Sequence, residues 1–249
     1  MEFLRKLRVL NTNALKFLAA ALMLVDHIGL LFFPYERIWR IIGRLSMPLF
    51  AFALSEGCRY TKNKARHFSL MFALAIVCQV VYYFFDDGNL YMSILVTFSL
   101  SVLLIYAMQY MKKTLLDKTA DGLDKGLACV LFSAAVFCVY ALCQIFTIDY
   151  GFWGVMTPVF ASIFDFHRIP APESLKKFDC LPVRVLCLFI GLIILAISYL
   201  PQTISFYALG SLPLLLLYNG KKGKLKTKYF FYIFYPLHLA ILQGVYMLL

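Results

Sequence analysis

The sequence predicts an all-α, polytopic integral membrane protein, a helical bundle of about nine transmembrane helices. Three observations predict it. The 249 residues are 62% hydrophobic and only 15% charged, with a mean hydropathy of +0.80, whereas a soluble domain is roughly half apolar and about a quarter charged. The apolar residues fall into nine runs near spanning length. The basic residues cluster in alternate connections between those runs. This composition excludes a soluble enzyme, a disordered tail and a nucleic-acid reader with one exposed basic face. Nine spans of about 20 residues use ~180 residues. The remainder covers short loops, so residues 1–249 read as a single transmembrane domain with no separate soluble part. Any chemistry then lies in the spans or at their mouths.

The first run, about Ala14 to Phe33, follows the basic residues Arg5, Lys6 and Arg8. It extends past the apolar core of a signal peptide, contains Asp26 and His27, and has no small-x-small cleavage site, so a retained span is expected. The second and third runs lie at about Ile38–Cys58 and His67–Phe85, the fourth at Leu90–Met111 and the fifth at Gly126–Phe146. A short sixth at Phe152–Phe164 precedes the seventh at Val183–Leu200, the eighth at about Ile204–Tyr218 and the ninth at Tyr229–Leu249. With the N-terminus in the cytoplasm and alternating spans, 21 of the 24 basic residues fall in cytoplasmic segments, and the net charge of +11 follows from the positive-inside bias. Arg37, Arg40 and Arg44 break the pattern. The expected location is a bacterial-type cell membrane, N-terminus cytoplasmic and C-terminus external. The seven cysteines form no CxxC pair and the four histidines no HxxxH or HExxH spacing, so neither disulfides nor a metal site is expected. Phosphate-loop, GxGxxG and GxSxG motifs are absent.

Ionisable groups inside spans are costly and mark candidate sites. Lys16 and His27 are eleven residues apart, three helical turns plus about 20°, which places them on one stripe roughly 16 Å apart. A phosphate held near Lys16 would present a long flexible arm, such as pantetheine, to His27. Asp26 and His27 point about 100° apart on a helix, so Asp26 faces a neighbouring span, where an arginine of the second span is its natural partner. Asp26 therefore reads either as part of a catalytic set or as a tether between helices. Arg37, Arg40 and Arg44 share one face and need counter-anions. Arg37 reads as a headgroup contact; Arg40 and Arg44 read as ligands for an acceptor carboxylate or phosphate or as structural charges, and Gly43 lets another backbone approach. Pro48 is a candidate kink. Glu56 reads as a substrate contact or as a helix-end ion pair, and His238 as a buried histidine near mid-membrane beside Pro236. Asp149-Tyr150-Gly151-Phe152-Trp153 reads as an external turn with interfacial aromatics.

Several blocks resemble the TraX family, named for a conjugation protein linked to N-terminal acetylation of pilin. They are Leu15-Lys16 with Met23-Leu24-Val25-Asp26-His27-Ile28-Gly29, then Arg40-Ile41-Ile42-Gly43-Arg44-Leu45-Ser46-Met47-Pro48, Glu56-Gly57-Cys58-Arg59-Tyr60-Thr61, Asp149-Tyr150-Gly151 and Tyr235-Pro236-Leu237-His238. That family is similar in turn to the wider transmembrane acyltransferases, which carry a basic residue, ten residues and a histidine in the first span. The resemblance implies that His27 is the catalytic histidine and that Lys16 lies on the donor's path. Arg37 and Arg40 have the spacing of the wider group's paired arginines, whereas Arg40 and Arg44 match the TraX block.

The expected function is acetyl transfer from cytoplasmic acetyl-CoA to an amine or hydroxyl acceptor. His27, with Asp26, is the catalytic group, acting as general base or through an acetyl-histidine. Lys16, Arg59 and Arg66 attract the donor's phosphates, and Arg40, Arg44, Glu56 and His238 contact the acceptor or the oxyanion. The expected partners are acetyl-CoA, the acceptor and the lipid bilayer, with no nucleic acid and no metal. A small-anion transporter or exporter is the alternative, since buried arginines and histidines in kinked spans serve one equally well.

Overall fold

The computed structural model describes residues 8–85, 91–224 and 228–248. Regular structure among them is helical, apart from two isolated bridges, Leu10 with Tyr218 and Met92 with Ile148. Six segments are long and apolar enough to cross a membrane: Thr12–Phe32, Arg37–Tyr60, Lys64–Tyr83, Ile94–Leu116, Gly122–Ile145 and Leu181–Ser198. Two further apolar helices, Gly151–Ala161 and Thr203–Leu216, are shorter, and the apolar stretch Ile233–Leu248 is the end of a longer helix, Lys228–Leu248. The helical membrane bundle is as expected, while length and composition support six crossings and do not confirm nine. The shortfall has local causes. Pro158 lies inside Gly151–Ala161, and an 11-residue helix rises only about 17 Å. Thr203–Ser211 winds as a 3-10 helix, whose larger rise of about 2.0 Å per residue lets a short segment reach further.

We number the α-helices in chain order: α1 Thr12–Phe32, α2 Arg37–Gly43, α3 Ser46–Tyr60, α4 Lys64–Phe85, α5 Ile94–Leu116, α6 Gly122–Ile145, α7 Gly151–Ala161, α8 Glu173–Lys176, α9 Leu181–Ser198, α10 Leu212–Leu216 and α11 Lys228–Leu248. The chain forms two compact units. The first comprises the described parts of Met1–Ala53, Val77–Asn89 and Leu192–Leu249, the second those of Leu54–Ile76 and Leu90–Gly191.

In the first unit α1 begins at Asn11, whose side chain accepts a hydrogen bond from the Ala14 amide at 2.9 Å, satisfying one of the open donors of the first turn. The strand-like segment before it pairs with the 217–221 backbone: Leu10 N–H donates to Leu217 O, Asn219 N–H to Leu10 O and Thr12 N–H to Lys221 O. That pairing brings the basic loop Lys221, Lys222 and Lys224 to the start of α1. The second apolar segment is split into α2 and α3 at Arg44–Leu45. Pro48 explains the break. It lies in the first turn of α3, where its missing N–H leaves the Arg44 carbonyl without its helical donor.

α1 and α2 approach at two glycines. A methyl on Gly43 would lie 2.2 Å from Asp26 Cβ, and one on Gly29 would lie 2.2 Å from Trp39 Cβ. The close approach expected at Gly43 is therefore realised, against Asp26. Ser46 Oγ adds a buried hydrogen bond to Ala19 O at 2.7 Å. α1 and α11 run parallel: Phe17 meets Phe230 and Phe231, His27 meets His238, and Phe32 meets Tyr246.

The second unit is built on α5, whose Val102, Leu104, Ile105 and Met108 pack with Cys58, Val139, Val155 and Val159. The Asp149–Gly151 turn is held from inside the same unit. Tyr91 donates to Asp149 Oδ1 and Thr97 Oγ1 to Asp149 O, each at 2.6 Å. Tyr150 and Gly151 take φ of 60° and 54°, so Gly151 fills a left-handed position.

Gly43→Ala should destabilise the detergent-solubilised protein by ~1–3 kcal/mol, the usual cost of forcing atoms into a packed contact. Gly126→Ala, whose added methyl meets nothing within 4 Å, should leave the thermal unfolding midpoint unchanged or slightly raised. Equal midpoints for the two variants would refute the close α1–α2 contact.

Candidate functional site

Within the first unit, α1, α2 and α11 bring together five of the residues singled out from the sequence. Asp26 leaves α1 toward α2, and its Oδ2 accepts from Arg40 Nη1 at 2.6 Å. The side chains of the pair are only 22% and 15% exposed, so the arginine's counter-anion is Asp26. The other carboxylate oxygen, Oδ1, is buried without a hydrogen-bond partner. His27, one residue further and turned about 100° around the helix, faces α11. Its ring centre lies 5.1 Å from that of His238, edge to face at 81°. Arg40 and Arg44 both lie close enough for their charges to act on His27.

The two imidazoles are fixed in the same way. His27 Nδ1 donates to Met23 O at 2.8 Å and His238 Nδ1 to Phe234 O at 3.0 Å. A carbonyl oxygen only accepts, so in each neutral ring the proton sits on Nδ1 and Nε2 carries a lone pair. His238 is 5% exposed, stacked on Phe234 at 5.0 Å and edge-on to Tyr235 at 5.4 Å. Its Nε2 is buried with no hydrogen-bond partner. Such an atom is costly to bury.

Lys16 and His27 both lie on α1, eleven residues apart, which sets them about 16 Å apart along the axis. The Lys16 ammonium sits 5.9 Å from the centre of the Phe231 ring, so α11 flanks both ends of the stripe. At the start of α1 a cavity of about 550 Å³ is lined by Asn11, Asn219, Lys221, Gly223 and Lys224. It carries two ammonium groups and no carboxylate. Sequence reasoning assigned Lys221 and Lys224 to topology alone; their approach to α1 depends on backbone pairing 200 residues away in sequence, which has no local signal.

Arg59, Arg66 and Glu56 belong to the second unit. Glu56, 3% exposed, pairs with Arg184, which also donates to Ser55 Oγ at 3.0 Å. Arg59 is shared between Asp165, at 3.1 Å, and Asp179. Asp165, 1% exposed, also meets Gln109 at 3.4 Å, and its carbonyl accepts from Lys112 at 3.1 Å. Arg66 is exposed in the first turn of α4. Arg184, Lys112, Asp165 and Asp179 are charged neighbours of Glu56 and Arg59 that sequence reasoning missed, because Lys112 and Arg184 read there as loop charges. Arg37 is exposed. Among the described residues no group of three or more His, Cys, Asp or Glu side chains is placed to hold a metal.

The sequence model described as TraX protein matches residues 11–246. The chain is 25% identical over 264 aligned residues to the "Probable fimbrial assembly protein FimC, serogroup H1" of Dichelobacter nodosus, covering 94% of this chain and 95% of that protein. It is 39% identical over 82 residues to an uncharacterized protein of Rickettsia prowazekii (strain Madrid E), covering 33% of each. No solved structure shows significant similarity.

Breaking a buried ion pair on one side strands the other charge and costs about 3–5 kcal/mol, whereas removing both partners is far milder. Glu56→Gln should therefore lower the unfolding midpoint sharply, and Glu56→Gln combined with Arg184→Met should recover most of the loss. A single variant as stable as the parent would show that this pair does not hold the second unit together.

Proposed function

Because this chain belongs to the TraX family, we propose that it is a membrane-embedded acetyltransferase that moves an acetyl group from cytoplasmic acetyl-CoA to an amine or hydroxyl acceptor. The observation that carries this reading is the His27–His238 pair beside the Asp26–Arg40 ion pair. A general base needs an imidazole nitrogen that is unprotonated and accessible to the reacting proton. The Nδ1 bonds of both rings leave Nε2 free for that task.

In the proposed reaction the acceptor attacks the thioester carbonyl carbon while His27 Nε2 takes its proton. The carbon–sulfur bond then breaks, and the thiolate is protonated. Asp26 and Arg40 hold His27 in place and set the local field, and Arg40 with Arg44 stabilises negative charge on the carbonyl oxygen or on the acceptor. The donor enters at the start of α1. The cavity lined by Lys221 and Lys224 takes the nucleotide phosphates, and the pantetheine arm runs past Lys16 to His27. Arg59 is already held by two carboxylates, so in this reading it shapes the second unit, while Arg66 remains an exposed positive charge that attracts the donor.

The proposed orientation places the N-terminus in the cytoplasm and the C-terminus outside. Several contacts support it. The parallel course of α1 and α11 puts their starts on one side. The Leu10–Tyr218 pairing puts the lysine-rich loop there too, and the positive-inside bias makes that side cytoplasmic. The fimbrial name of the Dichelobacter relative makes a surface-fibre subunit the first acceptor to assay.

Membranes carrying the protein should transfer radiolabel from [14C]acetyl-CoA to an acceptor, and His27→Ala should lower the rate by ~10²–10⁴, the usual contribution of a general base. Undiminished transfer by His27→Ala would remove the catalytic assignment; anion flux into vesicles without transfer would favour a transporter. Replacing Lys221 and Lys224 by Ala should raise KM for acetyl-CoA several-fold without changing the rate on acetyl-N-acetylcysteamine, which lacks phosphates. Equal effects on both donors would exclude the cavity as the phosphate site.

A further inference from the structure

We propose that His238 is a second catalytic residue, the group that delivers a proton to the departing thiolate; the inference rests on the acetyltransferase reading above. Three observations carry it. His238 Nδ1 is committed to Phe234 O, so only Nε2 can act. That nitrogen is buried and without a hydrogen-bond partner in a residue 5% exposed. Its ring lies against that of His27, with centres 5.1 Å apart.

Packing alone does not account for an imidazole here. The ring is stacked on Phe234 and flanked by Tyr235, an apolar setting in which a phenyl or isobutyl group would fill space without burying an open acceptor. The nearby charges are those of Asp26, Arg40 and Arg44, and they bear on His27 rather than forming a hydrogen bond to His238. Among the described rings in contact with His238, the imidazole is that of His27, the proposed general base.

The proton balance assigns the role. The acceptor's hydrogen leaves with the bond that forms to the carbonyl carbon and goes to His27 Nε2. The electron pair of the broken carbon–sulfur bond goes to sulfur, which needs one proton. The two rings are in contact but not hydrogen-bonded to each other, so the proton crosses from His27 Nε2 to the lone pair of His238 Nε2 through one bridging water, and His238 hands it to the thiolate. Both rings end neutral, with Nδ1–H still on Met23 O and Phe234 O. His27 alone can both take and return the proton, and the contact with His238 spares it from turning between acceptor and sulfur.

The test uses membrane vesicles carrying the full chain, with transfer of label measured from two donors: [14C]acetyl-CoA and the [14C]acetyl thioester of 4-nitrothiophenol, whose thiolate leaves without protonation. Vesicles carrying His27→Ala give the background. His238→Asn keeps an amide donor for Phe234 O and removes the titrating nitrogen. The expected result is a roughly 100-fold loss with acetyl-CoA and near-parental transfer from the aryl thioester, which also shows that the variant is folded. Equal losses on the two donors, or no loss with acetyl-CoA, would overturn the proposal. His238→Gln provides the second variant, with the same donor dependence expected and the same outcomes decisive. Parental vesicles that transfer no more label than His27→Ala from either donor would overturn the acetyltransferase reading itself, before the role of His238 is reached.

Discussion

An arginine in an apolar segment is costly unless it is paired, and Arg40 is paired with Asp26. The pairing has a geometric requirement: the backbones of α1 and α2 must come together, which the glycines at 29 and 43 allow. It also has a consequence. With Asp26 committed to α2, the next side chain of α1 is turned about 100° away and is presented to α11. The position of His27 against His238 thus follows from an ion pair that includes neither histidine. Loss of Asp26 would release both the arginine and the helix face that carries His27.

The two units use charge differently. In the second, Glu56, Asp165 and Asp179 are all engaged by arginines, and Asp165 is tied further to Gln109 and Lys112. Carboxylates bonded in this way hold helices and loops in register. In the first unit Asp26 Oδ1 and His238 Nε2 are buried with no partner. Polar groups left open inside a protein are costly, and here they flank His27. The second unit has an open atom of its own, Arg59 Nε, so the difference lies in the carboxylates: those of the second unit are bonded, and Asp26 keeps one oxygen open.

Much of the first unit was legible in the sequence because its logic is local. Helical periodicity alone put Lys16 and His27 on one stripe and turned Asp26 toward an arginine of the next segment. Gly43 and Pro48 carried their backbone meaning at their own positions, close approach for one and a break at Arg44–Leu45 for the other. The contact between His27 and His238 was not legible, since it joins α1 to α11 across nearly the whole chain. The burial of Lys112 and Arg184 was hidden for a different reason. A lysine or arginine at a span end satisfies the positive-inside pattern whether it meets headgroups or a buried carboxylate, so charge counting assigned both to topology. The shortened segments around Pro158 and Thr203 similarly kept their hydropathy while losing α-helical length.

In the proposed reaction the first unit receives an acyl thioester along α1, with its carbonyl at His27. An experimental structure of the protein in lipid nanodiscs with oxopropyl-CoA, a ketone analogue of acetyl-CoA that cannot be cleaved, tests it most directly. The ketone oxygen and carbon are expected beside His27 and His238, the pantetheine arm past Lys16, and the phosphates in the cavity lined by Lys221 and Lys224. An analogue seated elsewhere, or no bound analogue at saturating concentration, would contradict it.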